Sequence, residues 1–173
     1  VVSHAKTLGY EVSSPRAPVA VVNVSLGTTA STKTMSAGTV FTSVIEGTTY
    51  QFVTVADVTA SNTGTSVPFD SVNIYEGSYI TTRYTVDTSD VDQRFLLNDA
   101  RSDTTTLTVK VQNSSSDTTT TTYTRATDIT QQSASSTVYY LQETDSGLFE
   151  IYFGDGVVSK GLSDGNIVIL QYV

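Results

Sequence analysis

A glycine-bracketed aspartate, Phe153-Gly154-Asp155-Gly156, separates two stretches that read as strands. Leu148-Phe149-Glu150-Ile151-Tyr152 precedes it, and a short loop leads on to Asp164-Gly165-Asn166-Ile167-Val168-Ile169-Leu170-Gln171-Tyr172. Glycine accepts the positive backbone dihedrals of a sharp reversal, and aspartate can take a hydrogen bond from its own backbone. The order strand, tight turn, loop, strand therefore commits this end of the chain to a sheet. Residues 167–170 show no polar alternation, so a central strand covered on both faces is expected there.

The two-residue period of extended chain recurs upstream. Ala20, Val22, Val24 and Leu26 alternate with Val21, Asn23 and Ser25. Residues 40–45 and 50–55 form a predicted hairpin across Glu46-Gly47-Thr48-Thr49. Residues 72–75 and 80–86 are joined through Glu76-Gly77-Ser78, and Leu107, Val109 and Val111 mark a one-sided strand. The polar run 113–122 reads as a solvated hairpin tip or loop. Residues 138–143 are expected to pair with 148–153 across Thr144-Asp145-Ser146-Gly147. On that hairpin Tyr139, Tyr140, Phe149, Tyr152 and Phe153 become cross-strand core pairs.

Helical signals are sparse. Val2, Ala5 and Leu8 recur at helical spacing, with Gly9 at the position of a left-handed cap. Pro15 and Pro18 bar continuation. The chain starts on valine and its sole methionine is Met35, so an excerpt of a longer protein is expected, opening on the end of an upstream helix. After Tyr10 only residues 90–99 have room for a short helical turn. The predicted fold class is mainly β: antiparallel sandwich or small-barrel-like β domains with a short truncated N-terminal helix. The expected organisation is 1–12 as the helix end, 13–60 as a first β segment and 61–66 as a seam of small polar residues. Residues 67–173 form a second β segment, able to pack as one domain with the first.

Composition bounds the function. Charged residues make up 15% of the 173, below the usual ~25%. Serine and threonine take up the difference, and threonine fits a pleated surface because its branched carbon stiffens extended backbone. A net charge of −8 with nine lysines and arginines excludes nucleic acid as a partner, since that binding rests on neutralised phosphates. It disfavours a polybasic membrane patch for the same reason. No apolar run approaches the ~20 residues of a bilayer span. The chain has no cysteine, which excludes disulfides and thiolate metal sites.

Catalytic chemistry finds little purchase. His4, the sole histidine, has no carboxylate or nucleophile set beside it in sequence. The many serines lack a nucleophile-elbow motif and a histidine base within the β region. Asp87, Asp90 and Asp92 form an acidic cluster, and Asp155 and Asp164 bracket a glycine-containing loop. Neither has the alternating ligands and central glycine of a calcium loop, so turn capping is the expected role. The Gly-Asp-Gly turn lacks the lysine and helix start of a phosphate loop. No catalytic, cofactor-binding or metal-binding residue is assigned, and no small-molecule substrate is expected.

Several phrases, taken in order, resemble the baseplate wedge proteins of contractile-tailed phages, grouped with the baseplate J-like proteins. They are Ala5-Lys6-Thr7-Leu8-Gly9-Tyr10, the prolines of Ser13-Ser14-Pro15-Arg16-Ala17-Pro18, Ser36-Ala37-Gly38-Thr39-Val40-Phe41 and Phe52-Val53-Thr54. Val72-Asn73-Ile74-Tyr75-Glu76-Gly77, Tyr139-Tyr140-Leu141-Gln142-Glu143, the Phe-Gly-Asp-Gly turn and Gly165-Asn166-Ile167-Val168 continue the series. The resemblance implies a non-enzymatic virion protein of the tail baseplate, assembled in the host cytoplasm. It implies partnership with other wedge subunits and with copies of itself, in a ring whose rearrangement helps release sheath contraction. The long helical flanks of that family are missing from this chain, so in isolation it is expected to be monomeric or weakly self-associating. A rival reading from composition is an extracellular adhesin or carbohydrate-binding β-sandwich module, with residues 114–122 carrying recognition. An enzyme with carboxylate chemistry ranks third; its groups would have to meet in space from separate strands.

Overall fold

The computed structural model describes residues 13–173. The helix expected over 1–12, with His4, lies outside the described residues. The described chain is mainly β, as expected, and its helical content is a single 3-10 turn at Ile129–Gln131. It divides into two compact units, one built on Arg16–Ile80 with Gln171–Val173, the other on Thr81–Leu170 with the first described residues.

The first unit contains β1 (Val19–Gly27), β2 (Thr32–Met35), β3 (Val40–Ile45), β4 (Thr48–Val53), β5 (Val58–Ser61) and β6 (Ser66–Glu76). A four-stranded sheet, ordered β1-β6-β4-β3, curves as a half-barrel, and β2 pairs with β5 in a separate ribbon. Val67, Phe69, Val72, Ile74 and Met35 form the buried core, with Ala20, Val22, Phe41 and Phe52 packed against it. The apolar positions of β6 break phase between Phe69 and Val72. A strand of strict period two would turn one of these two residues to solvent. A β-bulge absorbs the extra residue: Val22 faces Val72 while Val24 faces Phe69, and Ser71 takes a left-handed φ of 55°. The Asn23 side-chain oxygen accepts the Ser71 N–H at 2.7 Å, closing the gap in the ladder.

The β3–β4 hairpin forms as predicted, with a shorter turn. Glu46 and Gly47 carry φ of 51° and 83°, the paired left-handed dihedrals of a two-residue reversal, and Thr48 already faces Ile45. That turn matches strand twist, so the two threonines expected in it join β4 instead. Residues 61–66, the expected seam, lead from β5 to β6 inside this unit. Asn62 anchors them by donating to the carbonyls of Thr28 and Ala30 at 2.6 and 2.9 Å and accepting from Gly64 N–H at 2.7 Å.

The second unit is a nearly closed, barrel-like seven-stranded sheet, ordered β7-β13-β9-β10-β11-β12-β8. Its strands are β7 (Ile80–Thr85), β8 (Phe95–Leu96), β9 (Thr108–Gln112), β10 (Thr120–Arg125), β11 (Val138–Glu143), β12 (Phe149–Phe153) and β13 (Ile167–Tyr172). β13 lies between two neighbours, and consecutive Val168, Ile169 and Leu170 are all buried, as an unalternating apolar run requires. β11 and β12 pair antiparallel in the predicted hairpin, with Tyr139 facing Phe153 and Tyr140 facing Tyr152. The polar run shortens: 113–119 is the tip, while Thr120, Thr121 and Thr122 pair with Gln112, Val111 and Lys110. β10 and β11 run parallel, Thr124 opposite Val138, a departure from all-antiparallel pairing. No helical turn of the expected kind fills 90–99. Two reversals, Asp90 N–H to Asp87 C=O at 3.2 Å and Gln93 N–H to Asp90 C=O at 3.3 Å, deliver Phe95 and Leu96 to pair with β12.

Candidate interaction site

Four of the aspartates singled out in the sequence, Asp87, Asp90, Asp155 and Asp164, hold backbone N–H groups. Asp87 accepts from the Ser89 hydroxyl at 2.6 Å and its N–H at 2.9 Å, and these bonds hold its carboxyl below the usual carboxylate range. Asp90 accepts the Asp92 N–H at 3.0 Å. Asp155 receives the N–H groups of Val157 and Val158 at 2.9 and 3.2 Å, which lower its pKa. Asp164 accepts the Thr88 N–H at 3.1 Å. The Asp87, Asp90 and Asp155 carboxylates thus stiffen turns, while Asp164 ties its loop to a residue distant in sequence. Among the described residues no three His, Asp or Glu side chains are grouped to hold a metal ion.

One charged group escaped the sequence reading. Glu150 sits between Phe149 and Ile151 on β12 and is only 3% exposed. Arg94 clamps it with both Nε, at 2.7 Å, and a terminal guanidinium nitrogen, and the Tyr152 hydroxyl donates to its second oxygen at 2.8 Å. Those Arg94 hydrogen bonds hold the carboxyl below its ordinary value, and burial followed by the hydrogen bond to Glu150 pushes the Tyr152 phenol up. A buried carboxylate needs such a partner. The signal for it was an arginine just before Phe95-Leu96, meaningful only once β8 and β12 are known to pair. A shallow groove of about 250 Å³ runs past Asp90, Phe95, Glu150 and Tyr152. Of its two carboxylates, Glu150 is bound to Arg94 and Tyr152, and Asp90 accepts the Asp92 N–H.

The Phe-Gly-Asp-Gly turn is a packing device. A Cβ on Gly154 would fall 2.1 Å from the Ser159 Oγ and 2.4 Å from its carbonyl oxygen, so only glycine fits. Gly156 has a φ of 86° with open space around it, and its N–H donates to Ser159 C=O at 2.9 Å. The loop thereby folds back on itself and leaves Val157 74% exposed at its tip.

The surfaces best suited to contact are sheet edges. The four-stranded sheet ends on β1 and β3. Cross-strand register places Val19, Tyr75, Val53 and Val40 on the face opposite the core. Val40 is 54% and Val44 67% exposed, and no charged residue interrupts β3. Natural edges are usually blunted by lysine, proline or a bulge. β1 follows directly on Pro18 and carries the shift between Val22 and Val24, whereas β3 has neither guard.

Among the described residues no helix is long and apolar enough to cross a membrane. No curated protein matches the chain. The family described as "Bacteriophage baseplate wedge protein gp6, third domain" matches residues 80–173.

Proposed function

Because the chain belongs to the family of the bacteriophage baseplate wedge protein gp6, a structural part of the phage tail baseplate, we propose that it is a non-catalytic assembly module of the wedge. In this reading it joins other wedge subunits and copies of itself in the host cytoplasm. It then takes part in the ring rearrangement that releases sheath contraction. The further grouping with baseplate J-like proteins rests on the ordered phrases from Ala5-Lys6-Thr7 to Gly165-Asn166-Ile167.

The family match over 80–173 is the observation that carries the reading. The β3 sheet edge fits it, because it offers a pairing surface. The test is made in the phage that encodes the chain. Removing residues 80–173 from the full-length protein should yield particles whose tails lack baseplates by electron microscopy. Antibody against the chain should label the baseplate of intact particles. Intact, contracting tails in the deletion, or glycan binding with label on host-contacting fibres, would overturn the proposal.

A further inference from the structure

We propose that β3 is a self-pairing edge, at which a second copy of this chain adds its own β3 antiparallel across a two-fold axis through Thr42. The inference deepens the assembly reading and rests on it for its place in the virion, but its geometry is independent of it.

Backbone phase comes first. Thr54 N–H donates to Thr39 C=O at 3.1 Å, which makes residues 39 and 54 a hydrogen-bonded pair of the β3–β4 hairpin. Alternation along an antiparallel ladder then directs Phe41, Ser43 and Ile45 toward β4, opposite Phe52, Tyr50 and Thr48. The N–H and C=O groups of Val40, Thr42 and Val44 point the other way. β3 ends its sheet, so these groups face outward.

Side chains agree with that phase. Val40, Thr42 and Val44 lie on the face opposite the core, each exposed. Antiparallel pairing about Thr42 sets Val40 against Val44 of the second copy, Thr42 against Thr42, and Val44 against Val40. Every opposed pair can exchange both backbone hydrogen bonds, and the exposed valines cover one another. Pairing about Ser43 satisfies the same backbone groups but sets Val44 against Thr42 and Val40 against Glu46, so the register about Thr42 is preferred because it opposes valine to valine. A two-fold contact of this kind uses the same patch on both copies and closes on itself.

Charge and area fix the strength. The chain carries −8 overall, yet β3 itself is uncharged, so repulsion acts away from the contact. One strand edge covers on the order of 300–400 Å² per copy, well under the ~800 Å² per partner of a standard stable interface. The pair is therefore weak in dilute solution and becomes populated where subunits are held together.

The chain has no cysteine, which makes the test clean. Thr42→Cys, introduced alone in the 173-residue chain, should oxidise to a disulfide-linked dimer at micromolar concentration and revert on reduction. Ser43→Cys, also exposed but on the other face, should cross-link at least tenfold less, and adding Val44→Lys to Thr42→Cys should suppress the dimer by a similar factor. Sedimentation of the unsubstituted chain should show concentration-dependent dimer that Val44→Lys removes. Equal cross-linking at 42 and 43, a monomeric Thr42→Cys chain with unchanged circular dichroism, or cross-linking through Val21→Cys on β1 would overturn the proposal. Failure here removes β3 from the assembly and leaves the baseplate reading standing. Failure of that reading shows instead in the tails of the deletion phage.

Discussion

Tyr84 spans the gap left by the second unit's sheet: its hydroxyl donates to the Leu96 carbonyl at 2.8 Å. β7 and β8 are the two edges of that sheet, so a side chain supplies the bond that no ladder makes. The ring also meets Phe95 edge-on with centroids 5.7 Å apart, and Phe95, Phe153 and Tyr123 continue in T-shaped contacts at 5.6 and 5.4 Å. An aromatic row thus links β7, β8, β12 and β10.

Tyr84→Phe keeps the ring contact and deletes the hydrogen bond. Stability should fall by about 1 kcal/mol, the net worth of one such bond. Tyr84→Ala removes both and should cost about 2–4 kcal/mol, since it also empties the space the ring filled. Urea midpoints of the two variants, compared at constant slope, check the order.

Substitution at the two glycines of the Phe-Gly-Asp-Gly turn should separate space from dihedral. Gly154→Ala must displace Ser159, backbone included, and is expected to destabilise by about 3 kcal/mol or more. Gly156→Ala meets nothing and suffers only its φ of 86°, a cost of about 1–2 kcal/mol. Thermal unfolding of both should rank Gly154→Ala well below Gly156→Ala. Equal losses would contradict the packing account.

The bulge offers a stabilising change. Ser71 holds a left-handed φ of 55° that glycine adopts freely, so Ser71→Gly should gain about 0.5–1 kcal/mol. Asn23→Ala leaves the Ser71 N–H to water and should lose about 0.5–1 kcal/mol. Opposite signs in denaturant titrations are the expected outcome.

Acid should weaken the fold through identifiable groups. Arg94 holds Glu150 below its ordinary 4.5, Arg101 holds Asp99 at about 2 and Asn113 holds Asp117 at about 2, both from 3.8. A carboxylate whose folded pKa is depressed contributes stability above its unfolded value and loses it as pH falls through the folded one. Stability should accordingly be level near neutrality and decline from about pH 4.5 toward pH 2. Glu150→Gln should cost about 2 kcal/mol at pH 7 by unpairing Arg94, and its deficit should shrink toward pH 2. A deficit constant with pH would show that the ion pair contributes nothing.

What sequence made legible was whatever depends on near neighbours. The apolar positions of β1, the β11–β12 hairpin and the unalternating run in β13 were all readable, because period and turn chemistry are local. The bulge was readable in hindsight from Val67 and Phe69 against Val72 and Ile74. Long-range order was hidden. Nothing near Phe95 announces that two residues will form a strand beside Glu150, and nothing near Val138 announces a parallel partner in β10. The division between units falls at residues 80 and 81, within β7, where no glycine or proline marks it. The polar stretch 61–66 looked like a boundary because it has nothing apolar to bury, yet Asn62 ties it into its own unit. The surfaces of interest suffered in the same way, since whether β3 ends a sheet depends on where β1, β4 and β6 go.

The mismatch at Asn23 and Ser71 has a further consequence. A ladder with one odd rung can be zipped in a single alignment, because sliding β1 along β6 by any step would strand the surplus residue against a regular partner. Every molecule therefore carries the rest of that sheet at the same offset, and its outermost strand offers each newcomer an identical lattice of donors and acceptors. Uniform docking from one copy to the next would then be guaranteed two strands away from where the docking occurs.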